Sequence, residues 1–577
     1  MDIQRNLLIV ALVLVSGMLL TEWVKFRDTH ADQAATAEAA AIAAAAPATS
    51  STTAVPSAAA TGNAAADIPS LQVTGESTEA PAAVNAQQAI TVRTDSLLLD
   101  ISLLGGDITS VALPRHLASL DRRDQPFQLL EQNAKRYYIA MSGLIGANGT
   151  DTPAGRPLFS ASASSYEMQP GQDELVVDLR YATSDGVDIT KRFTFQRGEY
   201  VIDVEYLVAN NGDRPWQAAL FGQLKRDNRP DPGAVGGALG IKPFIGFATR
   251  TKDEPYQKFT FEDIAEKAYE GANRGGWIAL VQHYFISAWI PSADAQNTFS
   301  MLKTAAGDNI ARFTSPELQV APGASGSIAA QFYAGPKDQY RLHEIAPGLD
   351  LTVDYGWLWW IAQPLFALLF FFATGRLHVG GWVLDLGAGI GNWGWAIVLL
   401  TLLVKAAFFH LAATSYKSMA KMRKLQPKML GLRERYGEDR QKLSQETMDL
   451  YRKEKVNPLG GCLPILIQMP VFLALYWVLL ESVELRHAPF MLWIRDLSAM
   501  DPYFVLPLLM GASMYYQQKL NPPPPDPMQA KVFQFMPIIF TVFFLFFPAG
   551  LVLYWLVNNV LSMTQQWVIT RQIEKAP

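Results

Sequence analysis

The spacing of apolar residues changes several times along these 577 residues, and each change marks a different kind of structure. A first apolar run, Leu7–Leu20, is preceded by Arg5 and followed by Thr21-Glu-Trp-Val-Lys25. A cleaved signal peptide needs a small-x-small site close behind its apolar core. Here a Trp and a Lys follow, so residues 1–27 read as an uncleaved N-terminal anchor span. Residues 28–88 are rich in Ala with Thr, Ser, Pro and Gly, and nearly free of aromatics. Such a segment buries too little apolar surface to offset its ordering entropy, and it reads as a tether. From 89 to about 335 the period becomes two: Leu97, Leu99, Ile101 and Leu103 alternate with other residues, as do Tyr200, Ile202, Val204, Tyr206 and Val208. Turn clusters punctuate these runs at Gly105-Gly-Asp, Ser184-Asp-Gly, Arg197-Gly-Glu and Asn210-Asn-Gly-Asp. Short alternating strands between turn signals predict a β-sandwich of about 250 residues. A short helix at Asp338–Ile345 closes this domain, taken as 89–346.

From 347 to 577 the pattern is that of a membrane body. Candidate spans are 395–412, 463–481 and 503–518, followed by an apolar tract from 532 to 568. That tract exceeds one ~20-residue crossing, and Pro548-Ala-Gly550 divides it into 532–547 and 549–568. Between the first two spans, 413–456 reads as a helical hairpin. Met422, Leu425, Met429 and Leu432 follow helical spacing, Gly437 breaks it, and Leu443, Thr447, Leu450 and Tyr451 resume it. The segment 357–373 opens on three Trp, carries Pro364 and is barely long enough to cross, which suits a helix lying in the interface. The Gly-rich stretch 374–390 behind it reads as an enlarged surface loop.

Charge orients these spans. The chain carries a net charge of −5, yet 417–455 holds twelve Lys/Arg against six Asp/Glu. Such a stretch belongs on the cytoplasmic side. If 357–373 lies in the interface, the β-domain is extracytoplasmic; if it spans, the domain is cytoplasmic. The residues alone leave both open. Exposed cations of the hairpin (Lys417, Lys421, Arg423, Lys424, Arg433 and Arg435) would attract ribosomal RNA, anionic lipid or an acidic nascent chain, or serve topology alone.

Little else points to covalent chemistry. The single cysteine, Cys462, excludes an internal disulfide and any multi-cysteine metal site. His283 stands alone in the apolar run Trp277–Ile290, where a histidine is ordinarily a satisfied core residue. The Gly-rich 233–240 lacks the Lys-Ser/Thr ending of a phosphate-binding loop. No catalytic set, metal or cofactor is expected.

The informative charge is Lys405, inside the apolar run Trp395–Phe409. A rise of ~1.5 Å per residue puts it roughly 15 Å from Trp395, near the middle of a ~30 Å hydrocarbon layer. A charge there costs about 2.5–3.5 kcal/mol and ordinarily faces a polar cavity. The alternative is a lysine that snorkels along lipid. Thr401 sits one turn away on the same face. Tyr554, Asn558, Ser562 and Gln565 form one polar stripe on the last helix, at spacings of four, four and three. Gln468 and Tyr476 add polar atoms from 463–481. These residues form the candidate groove, although polar groups in membrane helices also serve simply to bond neighbouring helices.

Several ordered motifs sharpen the reading: Asn392-Trp-Gly394, Tyr416-Lys-Ser-Met-Ala-Lys-Met422, Leu425-Gln-Pro427, Asn457-Pro-Leu-Gly-Gly-Cys462, Gln468-Met-Pro470, Ser482-Val-Glu-Leu-Arg486 and Phe546-Phe-Pro548, with Gln4-Arg-Asn-Leu7 at the start. Together they resemble the YidC membrane protein insertases of Gram-negative bacteria, over nearly the whole chain. The resemblance implies a bacterial inner-membrane protein of six spans with a five-helix insertase core and a periplasmic β-supersandwich. It implies that 357–373 lies along the periplasmic surface, with residues 28–394 periplasmic and both termini cytoplasmic. It also implies an insertase and chaperone working alone or with the Sec translocon through a positive hydrophilic groove open to the cytoplasm. Its expected partners are nascent inner-membrane proteins, Sec components, the ribosome and anionic lipids, and not DNA. Where the family carries arginine, this chain has Lys405. Two other readings remain: a transporter using the intramembrane lysine, which lacks the expected inverted repeat, and a tethered carbohydrate-binding protein.

Overall fold

The computed structural model describes residues 68–69, 88–231, 243–454, 463–520 and 527–575, apart from positions 135, 154, 252, 380–381 and 438. The expected anchor 1–27 and most of the expected tether lie outside the described residues. Leu425–Asn457 belongs to one compact unit, and Asn63–Lys424 with Pro458–Pro577 to another.

The period-two runs form a sandwich of a ten-stranded and a nine-stranded sheet. In the strand Val201–Asn210, Ile202, Val204, Tyr206 and Val208 are buried and the residues between them half-buried, because successive side chains leave opposite faces of a strand. It pairs antiparallel with Val187–Gln196 and Ser325–Pro336. In the facing sheet, Trp216–Arg226 pairs with Tyr137–Ile145 and Asn309–Val320. One core joins the inner faces, with Phe193, Phe195, Tyr206, Trp289, Phe313 and Phe332 among its largest members. The Gly105-Gly106 turn needs glycine: both residues have positive φ, and a Cβ on Gly106 would stand 2.8 Å from Cδ of Lys191. That fully buried lysine ties the sheets together, donating to the carbonyls of Gly105 (3.0 Å), Gly106 (2.8 Å) and Ser142 (3.2 Å). The tether is not wholly without packing, since Ile68 is buried against Ile139, Met141, Ile145 and Phe221.

Two short helices serve the sandwich: α1 (Phe261–Glu266) and α2 (Gln339–Ile345). The Asp338 side chain caps α2 by accepting from the amides of Tyr340 and Arg341, as the sequence predicts for a short helix here. Helix α3 (Trp359–Thr374) buries Ala362, Leu365, Phe366, Leu369 and Ala373, and leaves Trp359 and Trp360 exposed. By length and composition, Gly356–Thr374 is the one continuous helix among the described residues suited to crossing a membrane. The stretch behind it is more ordered than a loop: Arg376–Val379 pairs antiparallel with Trp382–Asp385. β-branched and aromatic residues flanking Gly380-Gly381 carry that hairpin signal in the sequence.

The remaining helices are α4 (Trp393–Ala407), α5 (Phe409–Tyr436), α6 (Arg440–Lys453), α7 (Leu463–Glu481), α8 (Val505–Leu520), α9 (Pro527–Phe544) and α10 (Ala549–Lys575). The expected span 395–412 is not one rod: α4 and α5 meet at 67° around Phe408, whose backbone (φ −91°, ψ 10°) has left the α-helical range. Between α5 and α6, Lys428 pairs with Glu454 at 2.6 Å and the Tyr451 hydroxyl donates to the Met429 sulfur. Helices α9 and α10 separate at Pro548, where the amides of Ala549 and Gly550 donate to Ala499 (2.7 Å) and Leu497 (2.9 Å). Helices α8 and α9 touch at Gly511, where a Cβ would lie 1.9 Å from Oγ1 of Thr541.

Candidate functional site

Lys405 lies in the last turn of α4, and its ammonium donates to Oγ of Ser562 at 2.7 Å and to Oε1 of Gln468 at 3.4 Å. The Gln468 side chain turns its other end to the carboxamide of Asn558. Ser562 in turn donates to the Asn558 carbonyl at 2.7 Å. Four of the sequence-predicted residues, from α4, α7 and α10, are thus joined in one hydrogen-bonded set. Spacing explains the α10 contribution, since residues four apart lie one above the other on a helix face. Gln565, three further on, reaches the Phe409 carbonyl at 3.4 Å. Gln468 therefore does both things open to it in the sequence: it bridges two helices and also solvates the cation.

The other predicted residues fall outside this set of bonds. Thr401 is buried and donates to the Ile397 carbonyl of its own helix at 2.7 Å. Tyr476 is buried in the apolar cluster and packs on Trp477 and Phe547, each 5.8 Å away between ring centroids. Tyr554 is buried, with Phe472 stacked 6.5 Å away. Lys417, Lys421, Arg423, Lys424, Arg433 and Arg435 are all exposed.

Beside Lys405 a shallow pocket opens, lined also by Val404, Phe408, Leu411, Ala412, Tyr416 and Gln468. Sequence reasoning missed the pocket role of Tyr416 because the bend at Phe408 interrupts the helical count from Lys405. The only signal was its place at the head of the Tyr416–Met422 motif. The decisive electrostatic fact is what is missing: 393–412, 463–480, 503–520 and 527–568 contain no Asp or Glu. The partners of Lys405 are neutral dipoles, which solvate an ammonium without cancelling its charge.

A second polar group joins the sandwich to the C-terminal end of α7. Lys337 and Glu481, both buried, pair at 2.8 Å, and Lys337 also donates to the Thr352 carbonyl at 3.3 Å. Arg486 donates to the Leu117 carbonyl at 2.7 Å and lies 5.3 Å from the ring centres of both Phe127 and Phe285. His283 bonds through Nε2 to the Leu480 carbonyl at 2.8 Å. Burial, aided by the Lys337 charge, pushes the His283 pKa down to about 3, so the ring is neutral and Nε2 carries the donated proton. The histidine expected in the sandwich core is instead half-buried at this junction. Among the described residues no cluster of His, Cys, Asp and Glu could hold a metal ion.

Comparison with known proteins covers the whole chain. Residues 89–368 match the family described as YidC periplasmic domain, and residues 385–576 match the family described as 60Kd inner membrane protein. The chain is 54% identical over 580 residues to the membrane protein insertase YidC of Cellvibrio japonicus, covering 100% of this chain and 99% of the relative. It is 50% identical over 586 residues to that of Alcanivorax borkumensis, covering 100% of both. A crystal structure of an active YidC insertase with its first transmembrane domain resolved is 18% identical, covers 83% of this chain and 92% of its own, and superposes with a TM-score of 0.37.

Proposed function

The chain belongs to the YidC family of membrane protein insertases of the bacterial inner membrane, and from that premise we propose how it works: a hydrophilic notch centred on Lys405 draws the polar tail of an incoming protein into the bilayer. One observation carries the reading. Lys405 is a cation held by Ser562 and Gln468, and the stretches 393–412, 463–480 and 549–568 of their three helices carry no Asp or Glu. An uncompensated positive charge at mid-depth attracts an acidic tail and leaves the apolar part of the client to slide out into lipid. Neutral partners also keep the attraction weak enough for release, because a fixed carboxylate would compete with the client. Asn558 and Gln468 extend the polar lining.

The topology that serves this reading has six spans: one in the N-terminal 1–27, then α4 with the start of α5, α7, α8, α9 and α10. Helix α3 lies along the periplasmic surface, supported by its exposed Trp359 and Trp360 and its buried opposite face. The sandwich is then periplasmic, and the basic hairpin 413–456 faces the cytoplasm, within reach of ribosomes and anionic headgroups. Sec components are the natural partners for the periplasmic side.

Two experiments test the reading. Proteoliposomes holding only this protein should insert a short client with an acidic translocated tail, and lipid alone should not. A reporter active only outside the cytoplasm should be active fused at residue 200 and silent fused at residue 440. The reverse pattern would overturn the topology and, with it, a notch that opens to the cytoplasm.

A further inference from the structure

We propose that the hairpin Arg376–Asp385, with the segment leading to Ile390, is a lipid anchor seated at headgroup depth in the outer leaflet beside α3. Trp382 is 83% exposed, Val383 57%, Leu384 54% and Leu386 62%. A strand in a protein sheet hides one face; here consecutive residues on both faces are apolar and bare. The opposite strand is fixed to the protein, since the His378 ring stacks on Tyr340 at 3.9 Å and meets the edge of Phe370 at 5.8 Å. The return segment is fixed as well: the amides of Leu386, Ile390 and Gly391 donate to the carbonyls of Gly375, Phe372 and Ala373 at 2.9–3.0 Å. The patch is therefore presented rigidly.

Three observations name lipid as the occupant. First, the segment ends at Asn392, the cap of α4, whose Trp395, Leu399, Leu402 and Leu403 are exposed at helical spacing on one face. Exposed apolar residues thus follow one another along the chain from the hairpin into α4, the helix read above as a span. Second, the indoles of Trp357, Trp359, Trp360, Trp382 and Trp395, in the helices flanking the hairpin and in the hairpin itself, are all exposed, and an indole, apolar with one N–H donor, favours the bilayer interface. Third, Arg376 and Asp385, the only Lys, Arg, Asp or Glu residues between 375 and 392, pair with each other at 3.0 Å. Depth is set by the backbone: a two-stranded ladder has unpaired amides and carbonyls along its edges, which hydrocarbon does not tolerate and headgroups do.

The proposal rests on α3 lying at the periplasmic surface, and the test separates the two. In a Cys462→Ser background, Leu384→Cys or Ser164→Cys (an exposed loop of the sandwich) carries an environment-sensitive fluorophore in proteoliposomes. Nitroxide lipids labelled near the headgroup should quench the label at 384 several-fold more than the label at 164, and iodide should do the reverse. Adding Trp382→Ser and Leu386→Ser should lower the lipid quenching at 384 several-fold. Equal iodide quenching at both positions would overturn the anchor, and so would shielding of 384 from both quenchers, the sign of a protein partner or a second copy. A membrane-impermeant reductant added to oriented vesicles reports sidedness. Labels at 164 and 384 on opposite sides would mean that α3 crosses, overturning that reading and the anchor with it; labels on the same side without lipid contact would overturn the anchor alone.

Discussion

Replacing Lys405 by alanine removes the one cation held by Ser562 and Gln468 and leaves those two dipoles facing each other across a small void. The size of the effect follows from the geometry. A carboxylate of the client held ~6 Å from the ammonium, at an effective dielectric of ~20, gains about 3 kcal/mol. That corresponds to roughly 100-fold in the rate of an electrostatically assisted step, and water in the notch makes this a ceiling. The assay is insertion of one client into proteoliposomes, with its tail acids intact or neutralised, by wild type and by Lys405→Ala. The four rates form a double-mutant cycle. Strong coupling is expected: Lys405→Ala slows the acidic client and has little effect on the neutral one. Lys405→Arg should insert as well as wild type, since arginine keeps its charge and offers more donors to the same two partners. Lys405→Glu should be worse than alanine, because it reverses the field. Zero coupling in a folded, abundant Lys405→Ala protein would refute the attractor and leave a snorkelling lysine.

Other outcomes concern packing and pH. Lys337→Met strands Glu481 in a buried site and should destabilise the detergent-solubilised protein by about 3–5 kcal/mol, whereas Lys337→Met with Glu481→Leu should recover most of it; thermal unfolding of the three proteins decides. Gly511→Ala drives a methyl into Thr541 and should lower stability by about 1–3 kcal/mol, with partial rescue by Thr541→Ala in the same measurement. His283 has a pKa near 3 when folded against an ordinary 6.5, so the unfolded protein binds the extra proton. Its contribution is therefore complete above about pH 6.5 and is lost as pH falls toward 3, by at most about 1.4 kcal/mol per pH unit. His116, pushed down to about 4 by burial and by Arg486, acts in the same direction. Melting temperatures at pH 7.5 and 5 should differ less in His283→Gln, which keeps a donor for Leu480, than in wild type; an unchanged difference would exclude His283 as the source.

What could be read in advance follows from which signals are local. The alternation Ile202, Val204, Tyr206, Val208 is visible in the chain because a strand's period is set residue by residue. The stripe Asn558–Ser562 is equally legible because helical spacing alone stacks it. Strand partners were not, since the pairing of 201–210 with 325–336 depends on chain segments more than a hundred residues apart. Tyr476 looked like Gln468 at sequence level, both being polar positions in one apolar run. Only packing separates the residue that meets Lys405 from the one that meets Phe547. His283 was legible as unusual but not as a junction residue, because its acceptor is a backbone carbonyl 197 residues away.

The Lys337–Glu481 pair also has an order in time. The last strand of the sandwich ends at Pro336, while Glu481 follows Lys337 by 144 residues. Domains fold as units during synthesis, the N-terminal ones first. A finished sandwich must therefore wait with Lys337 still in water until translation has delivered the end of α7. An ammonium does not enter a buried site without its counter-charge, so the sandwich cannot settle on a half-made membrane core. Docking becomes a late event in biogenesis, and an immature chain should keep Lys337 accessible to amine-reactive reagents that no longer reach it in the mature protein.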